Sequence, residues 1–499
     1  MASTIGLDRP RLSRLLSGTV LLGFVGSVLV ATMAVGAGGI LVHDPVISGG
    51  PLSWIRYGHG HDLATVALYL GVGMIVWAWV RLGRDVRGGT ATAQQVRLAS
   101  AVWAAPVLLS PPLFTRDVYS YLGQGALALR GLDPYQLGPS KLPPGAIADN
   151  VHYVWQTTPA PYGPLFILIA KTINRLTGED LVLGVIGIRL VLLSGLALLA
   201  YALPRLADQL GGDRTVALWL VIANPLTVVH LVGGPHNDLL MTGLLATGTL
   251  LVLLRRHVAG ITMVTAAMAV KASAGIALPF LVWIWAAHLP GDRRAQLLRA
   301  GAGSLAVFAT VFTAITMLSG VGLGWIPALN APSLIVNWMS LPTAAGLLTH
   351  ALTAPFGHLS GGPFIMVCRL LGSVVFFVVL ARQWWLARDG GPTAVRRAAL
   401  ALLWAALLAP ATLPWYLTWA LVLAASLPWP RRSLAWVVAA STWLVLCTYP
   451  TGQSAFNDWP YQLAMVAVSL VTGAALLRHD TLDLPDGKQR SDPVQAVAA

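Results

Sequence analysis

Apolar runs long enough to cross a bilayer recur from one end of this chain to the other. They lie at 16–41, 62–80, 180–203, 300–318 and 363–381, and about 18 or more such residues in succession span the hydrocarbon core of a membrane as a helix. Charge usage agrees, because only 10% of the residues are charged, where a soluble domain carries about 25%. The expected fold class is therefore an all-α polytopic membrane protein.

Further apolar segments are predicted near 98–114, 215–232, 238–254, 398–411, 413–428, 433–450 and 460–477, with a hairpin over 258–288. Counting the hairpin as two short spans gives about fourteen. The first stretch lacks a small-residue cleavage site and reads as a retained span. The net charge of +13 does not point to nucleic acid, since the arginines sit in short clusters between spans, as the positive-inside rule places them. With both termini inside, 23 of the 32 basic residues fall on inner segments. This leaves two long outer loops, 115–161 and 319–362, and 162–178 stays on the outer side as an interfacial or re-entrant helix, because a crossing there would reverse every later loop. The expected organisation is one membrane domain over 1–478 and a polar, disordered cytoplasmic tail over 479–499. Cys368 and Cys447 lie within spans and imply neither a disulfide framework nor a metal cluster.

With a single glutamate, Glu179, and eighteen aspartates, outer carboxylates can be weighed singly. Asp117 begins the run Asp117-Val118-Tyr119-Ser120-Tyr121, where in a helix Asp117, Tyr121 and Gln124 share a face. A carboxylate at a half-dry interface beside hydrogen-bonding partners can act as a general base; the plainer alternative is a helix cap or a pair with Arg116. The Pro-rich stretch Thr157–Pro164 must be extended, either lining a sugar groove with Tyr162 or serving as a rigid connector. Gly234-Pro235-His236-Asn237-Asp238 leads into a helix whose N-terminus, with His236, can attract phosphate, Asn237 or Asp238 capping it; a capped tight turn fits equally. Lys271 interrupts about thirty apolar residues, where a charge costs several kcal/mol without a partner or a wet cavity. It is read as offered to an anionic head group, against a snorkelling alternative. Arg189 and Arg369 are weaker intramembrane charges of the same kind. No P-loop, GxGxxG, HExxH or DxD pair occurs, so nothing here suits a soluble nucleotide and its magnesium.

The runs RDVYSYLGQG at 116–125, GLDPY at 131–135, TPAPYGPL at 158–165, NPL at 224–226, GPHND at 234–238 and VKAS at 270–273 resemble the actinobacterial polyprenol-phosphate-mannose-dependent α-1,6-mannosyltransferases of the MptA and MptB kind, extending more loosely to Pro414-Trp415-Tyr416. The resemblance implies a GT-C-type bundle of about 12–14 helices. It also implies a polyprenyl-phosphate-mannose donor, a lipomannan-type α-1,6-mannan acceptor, inversion at the anomeric carbon, and Asp117 as base. It places the protein in the plasma membrane with its site on the outer face. Arg116, His236 and Lys271 are then the candidate donor-phosphate contacts, and Tyr121, Gln124, Tyr162, Asn237 and Asp238 the candidate sugar contacts. A lipid phosphate is already a competent leaving group, so no metal is demanded, though the sequence leaves a divalent ion open. Rival readings are a transporter for a polyprenol-linked sugar, which would be expected to show an internal repeat, a related transferase of arabinofuranose or another sugar, and a non-catalytic envelope protein.

Overall fold

The computed structural model describes residues 17–38, 41–44, 50, 53–353, 355, 357 and 359–478. The expected tail at 479–499 and the first basic cluster, Arg9, Arg11 and Arg14, lie outside the described residues. Among those described, regular structure is helical, the one β-bridge joining Thr448 and Ser454. Six helices among the described residues are long and apolar enough to cross a membrane: Gly18–Ala37, Gly58–Arg87, Leu181–Leu210, Arg293–Ser319, Gly361–Leu386 and Trp459–Leu477. The pair Arg214–Val221 and Leu226–Gly233, bent by 51°, makes a seventh if counted as one. The chain is an all-α polytopic membrane protein, with fewer full-length crossings than the fourteen apolar segments. The helices Ala93–Val107, Asp238–Leu253 and His257–Val270 have 15, 16 and 14 residues, and at about 1.5 Å per residue each falls short of the roughly 30 Å hydrocarbon core.

Burial sorts these helices into a centre and a rim. Asp238–Leu253 and Leu226–Gly233 are buried almost throughout, whereas Arg293–Ser319 and Gly361–Leu386 present Leu305, Met317, Leu370 and Phe377 outward, a surface that lipid solvates. Small residues let the central helices touch: a Cβ at Gly243 would lie 2.5 Å from the Gly195 carbonyl oxygen, the close backbone approach typical of helix pairs in membranes.

Three stretches of backbone depart from straight crossing helices. At the NPL run, Pro225 cannot continue the ladder. Asn224 absorbs the break: its amide donates to the Leu220 carbonyl and to Ser441 Oγ, both at 2.9 Å, and its Oδ1 accepts from the Leu226 N–H. At 271 the hairpin interrupts as its sequence predicts. Helix His257–Val270 stops, Lys271 is extended, and a 3₁₀ turn over Ala272–Ala277 leads to Leu278–Ala286. The segment 162–178 folds as Pro164–Thr177, with Pro164 at its first turn and left-handed Gly178 closing it. It buries Phe166, Ile167, Ala170 and Asn174, three and four residues apart, and exposes Thr172 and Arg175. That is an amphipathic helix too short to cross.

Candidate functional site

At one end of the bundle four distant segments, Phe114–Asp117, His152–Trp155, Leu334–Asn337 and the turn at 452–456, enclose a cavity of about 600 Å³ together with Leu413, Trp415 and Thr448. Among the described residues Asp117 is the only acidic side chain on its wall. It opens the helix Asp117–Leu129, with its N–H held by Thr115 Oγ1 at 3.0 Å, and its side chain is 16% exposed. Burial pushes the carboxyl up to about 6; the Lys271 charge and hydrogen bonds from Thr115 and Trp155 pull against this, while Asp238 adds to it. The group thus titrates close to neutrality, where a general base is most effective. Arg116 is half-buried on the same wall. Its guanidinium makes no hydrogen bond or ion pair among the described residues and is free to meet an anion.

Behind this wall the other predicted residues converge, in roles that the sequence did not show. Lys271 Nζ sits 2.9 Å from both oxygens of Asp238, and Trp419 Nε1 donates to Asp238 at 2.5 Å. Tyr416 and Trp419 present ring faces to the ammonium at 4.5 and 5.3 Å. Neither member of the pair lines the cavity. The cost foreseen for an intramembrane lysine is met by a buried carboxylate rather than by a head group. His236 is fully buried. Its ring stacks on Trp415 at 3.6 Å, with Nδ1 3.6 Å from Asp117 Oδ2. Burial first, then His230 and Lys271, holds its pKa well below the usual imidazole value, so it backs the carboxylate as a neutral ring. Asn237 is buried with no amide partner among the described residues. Tyr121 packs edge-on against Tyr162 and Phe166, at 5.1 and 4.9 Å, and neither tyrosine lines the cavity. Gln124 turns away, donating to Ser120 Oγ at 3.1 Å: a helix face shared with Asp117 leads away from the cavity within two turns.

The cavity also uses residues that sequence reasoning missed. His152, Tyr153 and Trp155 belong to a short segment whose aromatic density was the available signal. Asn337 and Gln453 come from loops with no motif. Two glycines set the register. A Cβ at Gly163 would lie 2.3 Å from the Ala269 carbonyl oxygen, so this residue lets the Pro-rich stretch press against the end of the helix that precedes Lys271. Gly452 has φ +83°, and its Cβ would lie 3.2 Å from the Thr115 backbone, while Pro450 accepts from the Phe114 N–H at 3.1 Å. Gly452→Ala is expected to combine backbone strain of about 1 kcal/mol with displacement of Thr115. Turnover should then fall more than thermal stability does, as measured by activity and melting on one preparation.

This geometry, one near-neutral carboxylate and one free guanidinium on a cavity wall, suits deprotonating an acceptor beside an anionic donor. Comparison with known proteins bears on which one. Residues 20–287 match the family described as alpha-(1->6)-mannopyranosyltransferase, N-terminal domain, and residues 342–478 the MptB C-terminal domain. The chain is 43% identical to alpha-(1->6)-mannopyranosyltransferase A of Mycobacterium tuberculosis over 96% of its own length and 92% of that protein. It is 31% identical to the enzyme of the same name from Corynebacterium glutamicum, over 87% and 93%, and 30% identical to alpha-(1->6)-mannopyranosyltransferase B of that organism, over 87% and 76%. No solved structure matches. On the strength of these matches along nearly its whole length, the chain belongs to the alpha-(1->6)-mannopyranosyltransferase family of the MptA and MptB type.

Proposed function

We propose that this protein transfers mannose from polyprenyl-phosphate-mannose to an α-1,6-mannan acceptor of lipomannan type, with inversion, at the outer face of the plasma membrane. The observation that carries this reading is Asp117, among the described residues the one acidic side chain on the cavity wall, held at about 6 beside Arg116, which has no partner among those residues. Asp117 takes the proton of an acceptor 6-hydroxyl as that oxygen attacks the anomeric carbon from the face opposite the phosphate. The bond from the anomeric carbon to the phosphate oxygen breaks with its electron pair, and polyprenyl phosphate leaves, so a β-linked donor gives an α product. Charge grows on the phosphate as the bond breaks, so a cation beside it stabilises the transition state more than the ground state. Arg116 takes that role here, because Lys271 is engaged by Asp238 and His236 is neutral. The excess of basic residues on alternate loops supports both termini lying inside and this cavity lying outside.

Membranes containing the full chain, supplied with labelled polyprenyl-phosphate-mannose and a short α-1,6-mannoside, should yield an acceptor longer by one α-1,6-mannose. Intact protein that leaves the acceptor unextended would overturn the reading. In the same assay Arg116→Ala should lower kcat/KM for the donor about tenfold or more, with kcat falling too, the loss expected for one charge-assisted hydrogen bond made in the transition state, and Arg116→Lys should recover part of it. An unchanged kcat/KM for the donor would remove Arg116 from the phosphate.

A further inference from the structure

A second cavity, of about 190 Å³, lies against the same short helix. Tyr119, which lines it, follows Asp117 by two positions and so points roughly 200° away from it round the helix axis. The long walls of this cavity are apolar, formed by Leu108 and Leu109 on one side and Leu181, Val182 and Val185 on the other. Leu109 is 83% and Val182 40% exposed, so the trough opens sideways between its two walls. Its inner end is polar. There the Arg56–Asp44 ion pair and Arg189 join Tyr119, and Arg189 donates to the carbonyls of Leu108, Ser110 and Gly233 at 2.8, 2.5 and 2.7 Å. This fixes one wall of the trough to the turn that carries His236. Tyr119 lies within electrostatic reach of Arg189, Arg116, Asp44 and Arg56, and Arg116 within that of Arg56. Arg116 precedes Tyr119 by one turn, its carbonyl accepting from the Tyr119 N–H at 3.2 Å, so the trough and the Asp117 cavity lie on either side of one helix start. An apolar trough open to the side, with Arg116, unpaired among the described residues, one helical turn from Tyr119 at its polar end, matches an amphiphile with a long hydrocarbon tail and an anionic head.

We propose that this trough binds the isoprenoid units of the donor lipid nearest its phosphate, with the phosphate at Arg116 and the sugar passing over the helix start to Asp117. The proposal rests on the polyprenyl-phosphate-mannose reading given above. In the orientation proposed there, the trough lies at the outer ends of its helices, level with the outer leaflet. It assigns to Leu109, Val182 and Val185 a preference for donors that carry these first isoprene units.

The test is the ratio of kcat/KM for a long-chain polyprenyl-phosphate-mannose to that for an analogue with an ethyl group in place of the isoprenoid chain, measured on the full chain in lipid nanodiscs. Val182→Trp, which fills the trough, should lower that ratio about tenfold, as losing about two buried methylenes would. Both rates come from one preparation, so partial misfolding cancels. An unchanged ratio overturns the trough and leaves the donor reading standing, whereas wild-type protein that uses neither donor overturns the reading itself. Should Val182→Trp be too inactive for a ratio, a donor with a photoreactive diazirine in its first isoprene units decides on wild-type protein. Labelling within 108–112 or 181–186 supports the trough, and labelling elsewhere overturns it.

Discussion

Asp117→Asn should fold normally and lose mannosyl transfer by about 10²–10⁴-fold, the usual contribution of a positioned general base. The asparagine keeps the shape and the hydrogen bonds of the site but cannot take a proton. In the wild type, kcat/KM should rise with pH through an apparent pKa of about 6 and level off above it, because only the ionised carboxylate accepts the acceptor's proton. This limb should vanish from the residual activity of the variant. Stability moves the other way. The folded-state pKa lies above the ordinary carboxylate value, so the folded protein binds more protons than the unfolded chain between about 4 and 6. Ionised Asp117 therefore costs the fold stability above that window. Asp117→Asn should consequently melt no lower than wild type at pH 7.5. An inactive variant that also melts early would mark Asp117 as a structural residue.

The second large effect concerns the buried pair. Lys271→Met leaves the Asp238 carboxylate, itself 0% exposed, with only the Trp419 N–H for company. Removing one partner of such a pair typically costs about 3–5 kcal/mol. The single variant should lose detergent stability sharply, seen as early melting and aggregation by fluorescence-detected size exclusion. The double variant Lys271→Met with Asp238→Leu removes both charges and should regain most of that stability. Lys271 pulls the Asp117 pKa down more than Asp238 pushes it up, so the double variant should also show its acid limb at higher pH. If Lys271→Met proves as stable as wild type and instead raises the donor KM, the lysine contacts the donor after all and the pair with Asp238 is incidental.

What was legible in the sequence was what local chemistry dictates. Apolar runs must enter a membrane as helices, and Pro225 must end a helix. The segment 162–178, with Lys171 and Arg175 on it, is amphipathic and folds as Pro164–Thr177. Asp117, at the head of its own helix, could be singled out as a rare carboxylate in a loop dense with aromatics. Partners were not legible. Nothing local in the sequence announces that Asp238 lies beside Lys271, thirty-three positions on, or that Trp419 closes over both from 181 positions away. Gln124 shows the same limit in reverse: a shared helix face predicted company with Asp117, yet that helix leaves the cavity before reaching it.

The solvent this protein lives in and its helical class could be read from the order of its amino acids, because transfer free energy and backbone hydrogen bonding act residue by residue, while its family was legible only through the resemblance carried by its short motifs. Arg369 donates to Thr343 and to the carbonyls of Ser333 and Ile335, and which of the four other cationic candidates stays free was settled by tertiary packing. Lys271 is neutralised by a buried carboxylate, Arg189 is spent on three carbonyls, and His236 is held uncharged against Trp415. Of the four, Arg116 stands unpaired among the described residues, on the wall beside Asp117. That division arises from desolvation, which makes each buried charge take whichever partner the packing brings within reach.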